Sequence, residues 1–199
     1  MGKKFQMIEP SDGATPLEYE EIKGLIPTHI TTKGELDALE LENIARAIAW
    51  MQAAKANKIL NTDFICRLHN KMFCDVWKWA GKYRKTEKNI GIRHVDIPVE
   101  VHKLCEEANG WLEFDVYSPD EFAVRFHHRL VFIHPFSNGN GRHARFMADL
   151  ILEKIFGKKP FSWGEVNLAK NGDVRAKYID ALKKADEHDY EALFKFARS

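Results

Sequence analysis

A mainly helical bundle with one short β-hairpin is the fold this 199-residue sequence predicts. Three observations point to it. Apolar residues recur at three- and four-residue spacing over most of the chain. Several of those stretches open on capping residues. One polar, turn-bearing stretch, 80–98, breaks the helical pattern and suits two short strands. A chain of this length supports one substantial core, so a single domain, 31–199, is expected behind an amino-terminal arm, 1–30.

In the arm, Pro10, Gly13, Pro16, Gly24 and Pro27 prevent a long helix, while Leu25, Ile26 and Ile30 call for burial against the body. From Thr32 to about Asn57 the spacing of Leu36, Leu39, Ile44, Ala47, Ile48 and Met51 is helical. Asn61-Thr62-Asp63 starts a second helix through Phe64, Leu68 and Met72. After Ala80-Gly81 the hairpin is expected over 84–98, turning at Asn89-Ile90-Gly91, and a helix follows from about Glu100 to Phe114. Ser118, Pro119 and Glu121 combine an N-cap, a proline at N1 and an acid at N3. That helix should end at His134, because a residue before proline disfavours helical geometry. Another begins near Asn140 and runs to about Phe156, stopped by Gly157, and the tail from Val174 to Ala197 is amphipathic.

Composition excludes several function classes. Lys plus Arg number 30 against 29 Asp plus Glu, a net charge of +1, which argues against a nucleic-acid face. No apolar run reaches membrane-spanning length, and MGKKFQMIEP lacks the apolar core of a signal peptide. Gln6 stands where a myristoylation signal wants Ser or Thr. Cys66, Cys74 and Cys105 form no CxxC pair, so a reducing cytoplasm is the expected setting. His127 and His128 lack nearby acidic or cysteine partners for a metal site, and His127 reads as a packed, loop-supporting residue.

Chemistry concentrates in Ile133 to Arg145, IHPFSNGNGRHAR. A helix ends at a histidine, a glycine-bearing loop follows, and a new helix begins. Gly139 and Gly141 free the backbone to turn N–H groups toward one point, and the helix start adds its own, which makes an anion site. Arg142 and Arg145 fall on one side of the first helical turn, where cations oppose the dipole unless an anion is held there. A neutral His134 can take a proton from an attacking group. Asn138 can offer its side-chain oxygen to a magnesium ion that phosphates also bind. Phe136 reads as the loop's anchor in the core.

His134 to Arg145 resembles the signature of the Fic family, HPFx(D/E)GNGRxxR. Trp79 to Arg84 resembles the approach to that family's hairpin flap, and Arg175 to Phe196 its closing helices; the arm resembles the branch known as mobile mystery protein B. The resemblance, over about 30–199, implies a protein AMP transferase of bacterial type. His134 would deprotonate a target hydroxyl on Ser, Thr or Tyr, which attacks the α-phosphate of ATP. Gly139, Asn140 and Gly141 would hold the phosphates, with Arg142 and Arg145 on their outer oxygens. Asn138 departs from the family's acid, so weaker magnesium binding is expected. Gly141 stands where the phosphate-transferring Doc branch has Lys, which favours AMP transfer by analogy.

By the same resemblance the hairpin is a flap whose Lys85, Thr86, Glu87, Lys88, Asn89, Ile90, Gly91 and Ile92 pair with an extended target segment. Many members carry an inhibitory (S/T)xxxE(G/N) glutamate that pairs with the second arginine, here Arg145. Glu40 and Glu42 match it only in part. Glu42 is followed by Asn43 but stands four residues from Arg46, and Glu40 shares a helix side with Leu36, Ile44 and Ala47, where a carboxylate needs a partner. A protein target is the expected partner, with an antitoxin or a second copy beside it, and no nucleic acid or membrane. The alternatives are a silent nucleotide-binding module of this fold, or an enzyme that removes AMP or transfers another group.

Overall fold

The computed structural model of the protein describes residues 18–164 and 172–199. Eight α-helices occur among them: α1 (Tyr19–Ile22), α2 (Lys33–Gln52), α3 (Thr62–Phe73), α4 (Ile97–Glu113), α5 (Pro119–Ile133), α6 (Asn140–Leu150), α7 (Gly172–Asp186) and α8 (Glu191–Arg198). Their starts follow from local chemistry. Thr32 and Glu35 close a capping box on α2, Asn61 Oδ1 accepts the Asp63 N–H on α3, and Ser118 Oγ accepts the Glu121 N–H on α5. α6 runs on into a π-helical turn, Ile151–Ile155, and Gly157 leaves it at φ 62°. The tail divides into α7 and α8 around His188, which is left-handed at φ 66°.

α5 is the central rod, packed by α4, α6 and α8. Phe122, Phe126, Leu130 and Ile133 recur at helical spacing and are at most 1% exposed. α2 lies on α3, which also meets α6. The consequence is that the segment between α5 and α6 is fixed at both ends by core helices. Among the described residues no helix is long and apolar enough to cross a membrane.

Two expectations need correction. The stretch 84–98 is not a hairpin: the described residues contain no strand, only an isolated antiparallel bridge between Leu25 and Trp77. The two limbs of 85–92 are held instead by the buried side chain of Arg84, which donates to the carbonyls of Thr86 (2.8 Å) and Ile92. A guanidinium satisfies groups that a strand ladder would otherwise pair. The following helix also starts earlier than expected, at Ile97, because Pro98 sits in its first turn, where a missing N–H is harmless.

Of the arm, residues 1–17 lie outside the described residues. Residues 18–30 lie on the body. Ile26 N–H donates to the Val76 carbonyl and Lys78 N–H to the Gly24 carbonyl, at 2.9 and 2.8 Å. Ile30 is buried, Leu25 half-buried, and Ile26 40% exposed.

Candidate active site

α5 stops at His134, which adopts the left-handed conformation, φ 55° and ψ 58°, ahead of Pro135. Such a backbone in a residue other than glycine costs about 1–3 kcal/mol and persists only where its surroundings hold it. Here they do: the His134 N–H donates to the Leu130 carbonyl (3.2 Å), and its own carbonyl accepts from Arg84 Nε (2.8 Å). The side chain is almost buried. Burial first, then the charges of Arg84 and Lys88, lower the imidazole pKa to about 4. It is therefore neutral at pH 7 and able to accept a proton.

The loop beyond it is stapled from within. Phe136 is fully buried and stacks on His69, with ring centroids 3.8 Å apart. His69 Nδ1 accepts the Gly81 N–H (2.9 Å), which leaves Nε2–H to donate to the Asn138 carbonyl (3.0 Å). The Asn140 side chain takes both backbone groups of Phe136, accepting its N–H at 2.9 Å and donating to its carbonyl at 2.8 Å. Gly139 turns the chain at φ 78°, and a Cβ there would stand 2.6 Å from the Phe73 ring. α6 then begins at Asn140. Its first N–H groups have no partner within the helix, and the positive end of the helix dipole adds to them.

Arg142 and Arg145 share the first turns of α6 but meet different neighbours. Arg142 lies over Phe73 and pairs with Glu40, Nη2 to Oε2, at 2.6 Å. Arg145 lies over the Tyr178 ring, with which it also hydrogen-bonds. Tyr178 is buried, which pushes its phenol pKa up, and its hydroxyl meets His127 Nε2 at 3.0 Å. Gly141 faces this pair: a Cβ there would be 3.7 Å from Arg145 Nη1 and from the Tyr178 hydroxyl, an ordinary contact.

Glu40 is 3% exposed and shares its carboxylate between Arg142 and the Trp77 indole N–H, the latter at 2.7 Å. The arginine it meets is the first of the loop, not Arg145. Glu42 lies at the surface and pairs with Arg46 at 2.7 Å.

Residues 85–92 lie beside His134 without pairing as strands. Lys85, Asn89 and Ile90 point to solvent or its edge, and Glu87 pairs with His94 at 2.7 Å. Lys88 is turned inward, its side chain 2% exposed, and pairs with Glu21 of α1 at 2.5 Å. Thr86 Oγ1 donates to the same carboxylate at 3.0 Å, and Ser137 of the loop bonds it as well. Burial pushes the Glu21 carboxyl up, but hydrogen bonds from Lys88, the Glu18 backbone and Ser137 outweigh it and hold the pKa below the usual range. Sequence reasoning missed Glu21, His69, Arg84 and Tyr178 as parts of the site. Each joins the site through a partner dozens of residues away, so no local spacing marks it.

Asn138 Oδ1 accepts the Gly139 N–H at 2.6 Å. That neutral oxygen is engaged by the backbone and would have to turn outward to meet a cation. Among the described residues no three His, Cys, Asp or Glu side chains converge as a metal set.

Comparison with known proteins bears on the family and the fold. The model of the Fic/DOC family matches residues 59–152. Protein adenylyltransferase Fic of Nematostella vectensis is 26% identical over 186 residues, 85% of this chain and 43% of its own length. Its counterpart in Culex quinquefasciatus is 29% identical over 166 residues, 79% of this chain and 31% of its own. This chain thus spans less than half the length of these curated relatives. The fold is that of the N-terminal Fic domain of a VirB-translocated Bep effector from Bartonella quintana, with a TM-score of 0.71 and 17% identity over 91% of this chain and 92% of that one. BepC from Bartonella tribocorum, solved with bound AMPPNP, superposes with a TM-score of 0.68 at 16% identity, covering 91% and 97%.

Proposed function

We propose, from the match of residues 59–152 to the Fic/DOC family model, that this chain is a Fic-type protein adenylyltransferase acting on a Ser, Thr or Tyr hydroxyl of another protein. One arrangement carries the reading: an imidazole kept neutral by burial, beside the open N-terminus of α6 and its two arginines. His134 takes the proton of the target hydroxyl, whose oxygen bonds to the α-phosphorus of ATP. The bond from that phosphorus to its bridging oxygen breaks, and pyrophosphate leaves. The N–H groups of Asn140 and Gly141, joined by that of Gly139 once Asn138 releases it, hold the phosphates in line with Arg142 and Arg145, so positioning and charge neutralisation supply most of the rate. Magnesium held by Asn138 and the phosphates would offset part of their charge. The Lys85–Ile92 flap receives the target, and the three free thiols suit a reducing cytoplasm.

One observation favours a resting form of this enzyme. Glu40 occupies the arginine, Arg142, that phosphate oxygens would use. Glu40 is the brake in this reading, and Glu42 is not, since its carboxylate stands in solvent with Arg46.

The test is to incubate the chain with magnesium-ATP and a bacterial lysate, then find AMP adducts by intact mass and peptide mapping. Adducts are expected with the natural chain and their loss with His134→Ala. Labelling that survives His134→Ala would remove the histidine from the base role, and nucleotide binding without any adduct would favour the silent module.

A further inference from the structure

We propose that Arg84 is a positioning residue for the transfer reaction: one buried guanidinium ties both limbs of the flap to the backbone of His134, so the flap sets where the imidazole stands. The proposal takes from the adenylyltransferase reading what the imidazole does; the coupling itself rests on contacts alone.

The Arg84 side chain is fully buried. Its Nε donates to the His134 carbonyl (2.8 Å), Nη1 to the Thr86 carbonyl (2.8 Å), and Nη2 to the Ile92 carbonyl. Its backbone N–H donates to the Pro135 carbonyl at 2.9 Å. A planar fork fixes these acceptors relative to one another, which a single ammonium on a flexible stem cannot do. No strand ladder joins the limbs of the flap; the guanidinium links Thr86 to Ile92, and beyond it an exposed Glu87–His94 pair crosses between the limbs.

His134 is the residue most open to such control. Its left-handed backbone is held by its surroundings, and Arg84 holds its carbonyl. The flap tip touches it directly as well: Gly91 sits at φ 89°, where a Cβ would lie 2.5 Å from His134 Cβ and 3.0 Å from Arg84 Nη2. A target segment that shifts the Thr86 or Ile92 carbonyl therefore moves the guanidinium, and with it the His134 carbonyl.

Amide hydrogen exchange followed by mass spectrometry tests the coupling without relying on activity. In Arg84→Lys, which keeps the charge and loses the fork, peptides spanning 85–93 and 133–138 should both exchange roughly tenfold faster, while α3 does not change. Should that variant fail to fold, Thr86→Gly loosens one limb from a distance. Its expected effect is again faster exchange at 133–138. Faster exchange in the flap with 133–138 unchanged, in either variant, overturns the proposal. On the AMP-transfer reading, Arg84→Lys should lower kcat about tenfold with KM for ATP nearly constant, because the phosphate cradle lies elsewhere. A rise in KM alone would also overturn it. A natural chain that transfers no AMP would count against that reading, and the exchange result would still decide the role of Arg84.

Discussion

At Glu40 one carboxylate serves an indole N–H and a guanidinium, and losing each has a different consequence. Glu40→Gln keeps an oxygen for Trp77 and removes the charge from Arg142. A hydrogen bond to a charged group contributes about 1.5–3 kcal/mol, so releasing Arg142 should raise the rate of AMP transfer at low ATP by roughly tenfold or more. Glu42→Gln should leave the rate unchanged, since exposed pairs contribute at most about 1 kcal/mol. Equal rates for Glu40→Gln and the natural chain would remove Glu40 as a brake. Asn138 invites a second substitution. Asn138→Asp keeps an acceptor for the Gly139 N–H and adds a charge, so the magnesium concentration giving half-maximal rate should fall several-fold, by about three to ten times. An unchanged magnesium titration would take Asn138 out of contact with the ion.

Gly139, just before α6, and Gly141, in its first turn, carry different demands. Gly139→Ala meets both a positive φ and the Phe73 ring at 2.6 Å, so it should lose about 2–4 kcal/mol of stability, measured by urea unfolding. Gly141→Ala meets only ordinary contacts at 3.7 Å, and should fold within about 1 kcal/mol of the natural chain while crowding the phosphates and lowering the rate. Equal stability losses would contradict the division. These elements also show what a sequence makes legible. The Asn61, Ser118 and Thr32 caps are short-range chemistry, and α2, α3 and α5 begin where those residues predict. The flap differs from a hairpin because the backbone of its limbs is cross-linked by one arginine side chain, which no period-2 pattern encodes. Pro98 closes the stretch 84–98 whose pattern suits a hairpin, yet it lies in the first turn of α4. The Glu40–Arg142 pair needed the packing of α2 against the loop; sequence indicated a buried acid wanting a partner, but not which arginine.

Over the whole molecule, five of the described histidines are buried, and burial lowers one of them, His128, below its usual value. Burial lowers His69 and His127 well below the usual value near 6.5, His134 to about 4 and His143 to about 3. Between those values and 6.5 the unfolded chain binds protons that the folded chain refuses, so stability falls as pH drops through this window. Asp149 acts the other way: burial raises it to about 6, and its contribution is lost as pH rises through that value. With five histidines against one aspartate, urea midpoints should fall steadily from pH 7.5 to pH 5; a flat profile would mean that the histidines are not buried neutral. On the proposed reading these packed helices hold an ATP site for moving AMP. ATP labelled at the α-phosphate or at the γ-phosphate, given to the Glu40→Gln variant with magnesium and lysate, tests it most directly. Label should enter protein from the α-position only and should disappear when His134→Ala is added. Label entering from the γ-position would contradict AMP transfer and make the chain a phosphate-transferring enzyme instead.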